Sequence, residues 1–423
     1  MPSPHDPYAA LRSRNYRLYI LGSIFDIVGN QMQAVAVGWE LYERTRSAAI
    51  LGFVGLAQFL PVVLLALPVG HAADTYNRRN LVLLAQCLTF LAAVGFAILS
   101  ASRGPIALIF GCLALLGISQ SINMTSRGSM LSSLVPREHL PNAATWNSNG
   151  RQLATMIGPG FGGLLIALTG GAFWVYVIDA MSSLAFIALL LQVRVPHQKR
   201  QAETFSLHSL LLGAKFIRRT KLVLATMTLD LFAVLLGGAT TLLPIYALDI
   251  LHVGPQGLGW LRAAPAVGSM AMAFTIAHLP ILRKRTGMIL LSSVTGFGIA
   301  TILFGLSTSF WLSMLMLFLV GAFDAVSVVI RFTLMQLMTP NALLGRVSAV
   351  NSIFISSSNE LGGFESGMVA HLLGAVPSVV LGGIGTIIVV FAVAGLWPEV
   401  RRLDSLEAPL LEPQYREKGV RCA

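Results

Sequence analysis

The feature that most constrains the fold is a series of long apolar runs. Each has roughly 20 to 30 residues, enough for an α-helix to cross a bilayer, and glycine, proline or charged residues separate one run from the next. With 55% hydrophobic and 11% charged residues, the chain is too apolar for a soluble protein. The runs predict an all-α, polytopic membrane protein. The polar residues 1–15 lack the pattern of a cleaved signal peptide, so the first helix is expected to direct insertion.

Twelve runs are expected to be transmembrane helices. Their expected bounds are 17–42, 47–73, 80–101, 105–126, 142–168, 172–193, 222–251, 256–280, 287–306, 310–334, 344–371 and 376–397. If the N-terminus is cytoplasmic, most of the 29 lysines and arginines fall on the cytoplasmic side, Arg127 and Arg331 among them. We therefore expect a multi-pass protein of the cytoplasmic (inner) membrane, with both termini in the cytoplasm.

The longest polar connection divides the chain into two halves. We expect one six-helix domain at 1–200, a linker at 201–220, a second six-helix domain at 221–400 and a cytoplasmic tail at 401–423. Residues 207–219 are amphipathic, which fits a helix on the membrane surface as well as a solvated linker.

The two halves share residues at a constant spacing of 204 positions. The matches include aspartate, arginine, proline and asparagine, which a random apolar sequence would not place in one register. Examples are Asp26 with Asp230, Arg127 with Arg331, Pro61 with Pro265, Asn147 with Asn351 and Gly158 with Gly362. The spacing predicts a duplicated six-helix unit.

A short polar loop follows the second apolar run. Its main residues are Gly70, Asp74, Arg78 and Arg79. Together with the duplication, their spacing resembles the loop motif G-x-x-x-D-R-x-G-R-[RK] of the major facilitator superfamily, although Thr75 and Asn77 replace an arginine and a glycine of that motif. The resemblance implies two six-helix bundles related by a pseudo-twofold axis, a central cavity lined by spans 1, 4, 7 and 10, and a cytoplasmic gating role for the loop.

Residues 15–80 resemble one branch of that superfamily, the enterobactin-exporter or transmembrane secretion effector branch. The likeness rests on Gly38, Trp39, Thr45, Ser47, Leu51, Gly52, Pro61 and Pro68. It implies a secondary active transporter that exports small amphipathic or hydrophobic solutes, siderophore-like or drug-like, by alternating access.

Charged residues inside the expected spans are candidates for substrate or proton binding, because charge in hydrocarbon is costly. Asp26 shares a polar helical face with Asn30 and Gln33, and Asp230 is its copy. The resemblance implies that both acids face the central cavity. A buried carboxylate without a counter-charge would exchange protons there. A static salt bridge or a packing hydrogen bond is the alternative.

Further candidates lie on neighbouring spans. They are Gln120, Asn123, Arg151 and Asp324. Arg151 could meet an anionic substrate or neutralise an aspartate. Asp179 lies in the sixth span, where a structural role is expected. Arg262, Glu360 and Glu365 are expected near the outer ends of spans 8 and 11, as an outer gate or as static pairs.

The fifth span contains a run of small residues around one proline. Gly158, Pro159, Gly162 and Gly163 match the core of the superfamily's antiporter motif, although Ala154 replaces an expected glycine. The run predicts tight packing against a neighbouring helix. The resemblance favours export, while small-residue packing without any bearing on direction is the alternative.

Other classes of protein lack support in the sequence. The three cysteines have no metal-binding or redox spacing, the net charge of +11 is spread over many loops, and no P-loop, dinucleotide motif or hydrolase triad is found. We therefore expect a monomeric transporter, not an enzyme, with no metal, no cofactor and no nucleic acid. Its partners would be a small solute, protons and the bilayer. The alternatives are a proton-coupled uptake symporter, a lipid flippase and a non-transporting membrane sensor.

Overall fold

The computed structural model describes residues 6–193, 207–279 and 285–405, and they are almost entirely helical. Six long helices make up the first half of the sequence. They are α1 (Arg14–Thr45), α2 (Ala48–Thr75), α3 (Arg78–Ala101), α4 (Ile106–Leu134), α5 (Leu140–Thr169) and α6 (Phe173–Gln192). The connections between them are short, as in an up-and-down membrane bundle.

The second half begins with the amphipathic segment of the linker, which is a helix. The helices are α7 (Leu207–Arg219), α8 (Lys221–Leu236), α9 (Leu243–Ile245), α10 (Gly254–His278), α11 (Thr286–Leu306), α12 (Phe310–Met338), α13 (Asn341–Leu373), α14 (Ala375–Leu396) and α15 (Pro398–Arg401). Residues 194–200 of the first predicted domain, 201–206 of the predicted linker and 406–423 of the predicted tail lie outside the described residues.

Ten helical stretches within the described residues are long and apolar enough to cross a membrane. Two more predicted spans correspond to α10 and α13, which have 25 and 33 residues and contain more polar side chains. Many large apolar side chains are exposed, such as Trp311 at 78% and Phe391 at 71%, as expected of surfaces that contact lipid. The predicted all-α membrane fold is confirmed.

Two predicted spans differ from the structure at functionally important places. The fourth span was expected to end at 126, but α4 continues to Leu134. Placing Arg127 in a loop was therefore wrong, and Arg331 likewise lies inside α12. The seventh span was expected to be one helix. Instead α8 ends before Gly237, and short helical turns lead on to Ile250.

The chain forms two compact units. The first comprises Met1–Arg46, Leu56–Phe205 and Val253–Ala263, and the second comprises Ser47–Gly55, Ser206–His252 and Ala264–Ala423. The start of α2 thus belongs to the second unit, and the start of α10 belongs to the first.

In the first unit α1 packs along both α5 and α6, while α3 packs along α4 and α6. Tyr16, Val82, Met130 and Phe186 form part of its core and are fully buried. Gly22 allows α1 to approach α6, because a Cβ atom there would lie 2.3 Å from the ring of Phe186.

In the second unit α11 packs along α12 and α14, and α8 packs along α13 and α14. Its core includes Leu229, Leu290, Ile330 and Leu334. The linker helix α7 packs against α13, where Gly213 is so close that a Cβ atom would lie 2.8 Å from the carbonyl oxygen of Arg346. The segment is therefore a helix packed against α13, and its position at the membrane surface stays a prediction.

The spacing of 204 residues recurs in the packing. Gly158 of α5 approaches α1 at Gln31, whose Cβ would lie 2.6 Å from a Cβ on the glycine. Its copy Gly362 of α13 approaches α8 at Leu235, whose carbonyl oxygen would lie 2.7 Å away. Because Gln31 and Leu235 are also 204 positions apart, the same helix contact occurs in each unit.

Candidate functional site

An ion pair between two helices lies inside the first unit. Nη2 of Arg127 on α4 lies 2.6 Å from Oδ2 of Asp26 on α1, and the two side chains are 15% and 2% exposed. Asp26 is about 18 Å from the start of α1, at about 1.5 Å per residue. The pair is therefore within the membrane-spanning part of the bundle.

The other contacts of Arg127 fix its guanidinium group. Its Nε donates to Oδ1 of Asn123, one turn earlier on α4, at 3.0 Å. The guanidinium carbon also lies 5.3 Å from the centre of the Phe186 ring on α6, a cation–π distance. Asp26 uses one carboxylate oxygen in the pair, while its buried Oδ1 has no hydrogen-bond partner among the described residues.

The second unit contains the copy of this pair. Nη1 of Arg331 on α12 contacts Oδ2 of Asp230 on α8, and the side chains are 11% and 10% exposed. The Nε of Arg331 donates to the carbonyl oxygen of Ser327 at 3.2 Å, again one turn earlier on the same helix. Both partners are thus conserved between the two repeats, at a spacing of 204 residues.

A buried pair of this kind is sensitive to the loss of either partner. Removing one member of a buried salt bridge typically costs about 3–5 kcal/mol, because the remaining charge is left without compensation. A proton on the aspartate removes the charge that holds the arginine. Protonation of its aspartate therefore weakens each pair.

The pairs correct one premise of the sequence analysis. Asp26 and Asp230 were considered as carboxylates without a counter-charge, and each of them has one. The helical face shared by Asp26, Asn30 and Gln33 is also less exposed to solvent than the lining of an open cavity would be. Asp26 and Gln33 are only 1% and 3% exposed. Asn30 is half-buried and donates to the main-chain oxygen of Asp26 at 2.8 Å.

The remaining candidates have different surroundings. Asn123 joins the first pair through Arg127, and Asp324 lies on α12 two turns before Arg331, whose charge acts on it. Gln120 and Arg151 are exposed. Arg151 was one possible partner for an aspartate, but the arginine that pairs with Asp26 is Arg127. The binding roles of all these residues stay predictions.

The sequence contained a signal for the missing partners. Both arginines match across the repeat, as the aspartates do. The positive charge of Arg127, next to the expected end of the fourth span, instead favours a loop.

The polar loop between α2 and α3 makes local contacts. Asn77 caps α3 by accepting from the main-chain nitrogen of Arg79 at 3.0 Å. Arg79 in turn donates to the carbonyl oxygens of Leu190 and Leu191, at 3.0 and 2.6 Å, and so caps the end of α6. Gly70 is buried in the last turns of α2. Asp74 is in the final turn of α2, but its side chain lies outside the described part, and Arg78 opens α3.

The small residues of α5 are tightly packed. A Cβ atom at Gly162 would lie 2.9 Å from the Cα of Met32 on α1, and one at Gly163 would lie 2.3 Å from the carbonyl oxygen of Pro255. A Cβ atom at Gly259 of α10 would lie 2.5 Å from the carbonyl oxygen of Pro159. The predicted close packing of this run is present. Its bearing on transport direction stays a prediction.

The three residues of the predicted outer gate are on α10 and α13. Arg262 donates to the carbonyl oxygen of Ala34 at 3.4 Å, within the first unit. Glu360 lies against Gly55 in the second unit, and Glu365 accepts from Ser366 at 3.4 Å. The gating role of these residues stays a prediction.

Comparison with known proteins identifies the family. The sequence model of the transmembrane secretion effectors, a group within the major facilitator superfamily, matches residues 5–418. The chain belongs to the transmembrane secretion effector family. It is 27% identical over 392 residues to the enterobactin exporter EntS of Citrobacter koseri and 28% identical to that of Shigella boydii serotype 4. Each match covers 92% of this chain and 92% of the relative.

Solved structures show that this secretion effector has the major facilitator fold. A bacterial homologue of the human lysosomal transporter Spinster matches with a TM-score of 0.71 at 15% identity, covering 92% of this chain and 98% of that one. A bacterial homologue of the iron transporter ferroportin matches with a TM-score of 0.69 at 17% identity, covering 92% and 98%. The secretion effector is thus a membrane transporter, as its sequence predicted, and not an enzyme.

Proposed function

We propose that the protein is a proton-coupled exporter of small amphipathic or hydrophobic solutes, and that its two aspartate–arginine pairs couple protons to transport. The observation that carries the proposal is the pair of Asp26 with Arg127 and its copy, Asp230 with Arg331, each buried between two helices. Residues 1–200 and 221–400 would alternate between two arrangements as these pairs form and break.

The coupling follows from the energy of a buried ion pair. Separating Asp26 from Arg127 leaves two charges without compensation in a region where only 2% of the acid's side chain is exposed. Binding a proton to Asp26 removes one of those charges and so lowers the cost of separation. A proton therefore favours any arrangement of the helices in which the pair is broken, and by linkage that arrangement favours the proton.

The direction and the solute class are inferred from the relatives. The family is named for secretion, and the relatives with 27–28% identity are exporters of enterobactin. The packed glycines of α5 resemble the antiporter motif of the superfamily. Both points favour export of a siderophore-like or drug-like solute in exchange for protons.

Efflux from proteoliposomes tests the coupling, with enterobactin as the probe because it is the solute of the relatives. We expect an imposed pH gradient to accelerate efflux by the wild type. Asp26→Asn and Asp230→Asn should each abolish that acceleration, since the pair no longer responds to protons. Glu43→Gln is the matched control, because Glu43 is an exposed acid on α1. Unchanged acceleration in both aspartate variants would reject the proposed role of the pairs.

A further inference from the structure

A second buried acid lies near the first ion pair, on α6. Asp179 is 0% exposed, and neither of its carboxylate oxygens has a hydrogen-bond partner among the described residues. It lies on the buried face of α6 that packs against α1 and α3, together with Tyr176, Ser183 and Phe186. A structural role was expected for Asp179 from its position in the sixth span, but a structural aspartate normally has partners.

The packing of α1 against α6 places Asp179 beside Asp26. A Cβ atom at Gly29 would lie 2.5 Å from Oδ1 of Asp179, so this carboxyl group lies directly on the backbone of α1. A similar contact occurs two turns away along the same helix pair. There Gly22 of α1 lies against Phe186 of α6. Asp26 is between these two contact points and only about 4.5 Å along the helix axis from Gly29, at about 1.5 Å per residue.

The charges around this site do not balance if every group is ionised. Arg127 supplies one positive charge, and its Nη2 is bonded to Asp26. The charge that acts on Asp179 is that of Asp26, which is of the same sign. α3, which also packs on α6, contains the buried but uncharged Gln86, and its only arginines, Arg78 and Arg79, are at its start.

A second carboxylate charge would therefore lie buried next to the first, with no cation of its own. Neither solvation nor hydrogen bonding would offset the cost of that charge. The cluster of Asp26, Asp179 and Arg127 is stable only when the two acids hold one proton between them.

We propose that Asp179 is a proton-carrying residue that shares one proton with Asp26. When Asp179 holds the proton, Asp26 is ionised and pairs with Arg127, as in the structure. When the proton passes to Asp26, the O–H bond on Asp179 breaks, an O–H bond forms on Asp26, and the negative charge moves to Asp179. Arg127 then leaves Asp26 and pairs with the carboxylate of Asp179, so the net charge of the cluster does not change.

This sharing explains how a pair with so little exposure can respond to protons. Asp179 supplies the proton locally, and the glycine at position 29 keeps the two carboxyl groups close. In the proposed transporter, Asp179 would store the proton between the steps in which the first unit takes it up and releases it. Only this use of the proton rests on the proposed function. The shared proton itself does not depend on transport.

Infrared difference spectra of the purified protein in nanodiscs test the shared proton. A protonated carboxyl group has a carbonyl-stretch band that an ionised one lacks. We expect the band to be present in the wild type at neutral pH and absent in Asp179→Asn. We also expect it to be absent in Asp26→Asn, because Asp179 must then ionise to balance Arg127.

The combined variant Asp26→Asn with Arg127→Gln provides the decisive comparison. It removes the cation, so Asp179 should regain its proton and the band should return. The exposed Glu43→Gln should leave the band unchanged. A band that survives in Asp179→Asn, or one that survives in Asp26→Asn, would overturn the proposal. Asparagine has nearly the shape of a protonated aspartate, so both single variants are expected to fold.

Efflux measurements then separate this inference from the proposed function. Asp179→Asn should reduce efflux driven by a pH gradient by at least tenfold, while exchange of labelled for unlabelled enterobactin continues. Normal gradient-driven efflux in this variant would exclude Asp179 as a proton store. If wild-type efflux ignores the pH gradient, the coupling mechanism fails, and the spectra still decide whether the proton is shared.

Discussion

Arg331 on α12 is the residue whose loss should most disturb the second unit. Replacing it with glutamine leaves Asp230 buried without its cation, next to Asp324 on the same helix as the arginine. We expect Arg331→Gln to lower the free energy of unfolding by about 3–5 kcal/mol, the usual cost of breaking a buried pair. Thermal unfolding in detergent, followed by tryptophan fluorescence, measures the change.

The double variant Asp230→Asn with Arg331→Gln isolates the interaction. Removing both charges should restore most of the stability that the single change loses, because no uncompensated charge remains. Arg402→Gln, at an exposed arginine after α15, serves as the control. Equal losses in the single and double variants would show that the contact between the two side chains contributes nothing.

Arg79 has a smaller role that is confined to one helix end. Its side chain donates to two carbonyl oxygens at the end of α6, at 3.0 and 2.6 Å. Arg79→Ala should therefore cost about 1.5–3 kcal/mol, the typical value for a hydrogen bond to a charged group. Arg17→Ala, at an exposed arginine near the start of α1, should change stability by less than about 0.5 kcal/mol. Hydrogen exchange should show faster opening at the end of α6 in the Arg79 variant alone.

The sequence identified the buried acids but not their surroundings. Asp26 and Asp230 stood out because charge within an apolar run is rare, and their copies matched across the repeat. Their partners were missed because a window of sequence cannot tell a loop arginine from one whose charge is neutralised by another helix. The burial of Asp179 was missed for a similar reason. Only the packing of α1 on α6 shows that no water reaches it.

Close packing between helices depends on glycines that have no room for a methyl group. At Gly163 of α5 a Cβ atom would lie 2.3 Å from the carbonyl oxygen of Pro255 and 2.9 Å from the Cα of Gly259. Because both neighbours are backbone atoms, they cannot shift without displacing the helix that contains them. We expect Gly163→Ala to push α5 away from α10 and to cost about 1–3 kcal/mol.

Gly111 in α4 is the matched control for that substitution, since nothing lies within 4 Å of the Cβ that an alanine would add there. Gly111→Ala should leave the midpoint of thermal unfolding unchanged or raise it slightly, because alanine favours the helix. If both alanine variants unfold at the wild-type temperature, the contact between α5 and α10 is looser than the structure has it.

At the scale of whole helices, the apolar runs predicted most of the elements. The exceptions are two helix boundaries, at which the local sequence pattern indicates one structure and the tertiary contacts produce another. The end of α4 is polar, yet it continues as a helix to Leu134, past Arg127, whose charge is paired with Asp26. The seventh span is mostly apolar, yet its helix breaks at Gly237 and Gly238. The second of these glycines lies against α13, where a Cβ atom would be 2.5 Å from the carbonyl oxygen of Gly362.

The two repeats share a buried ion pair as well as a helix contact. Both repeats keep an acid on the first helix and an arginine on the fourth, and the arginine bonds one turn back along its own helix in each. The copies differ in the second acid. The first unit has Asp179 on α6, whereas the second has Asp324 on α12, at the position where the first repeat has Gln120. The repeats therefore keep the ion pair and diverge in the group that surrounds it.

The orientation of the whole chain in the membrane is the last prediction. Most of the 29 basic residues lie on one side if the N-terminus is cytoplasmic, and arginine and lysine next to a span resist translocation. A green fluorescent protein fused after Ala423 should therefore fluoresce, and alkaline phosphatase fused there should be inactive. A phosphatase fusion at Gly104, in the loop between α3 and α4, should be active because that loop is expected outside. Active phosphatase at the C-terminus would reverse the topology, and with it the predicted cytoplasmic position of the loop between α2 and α3.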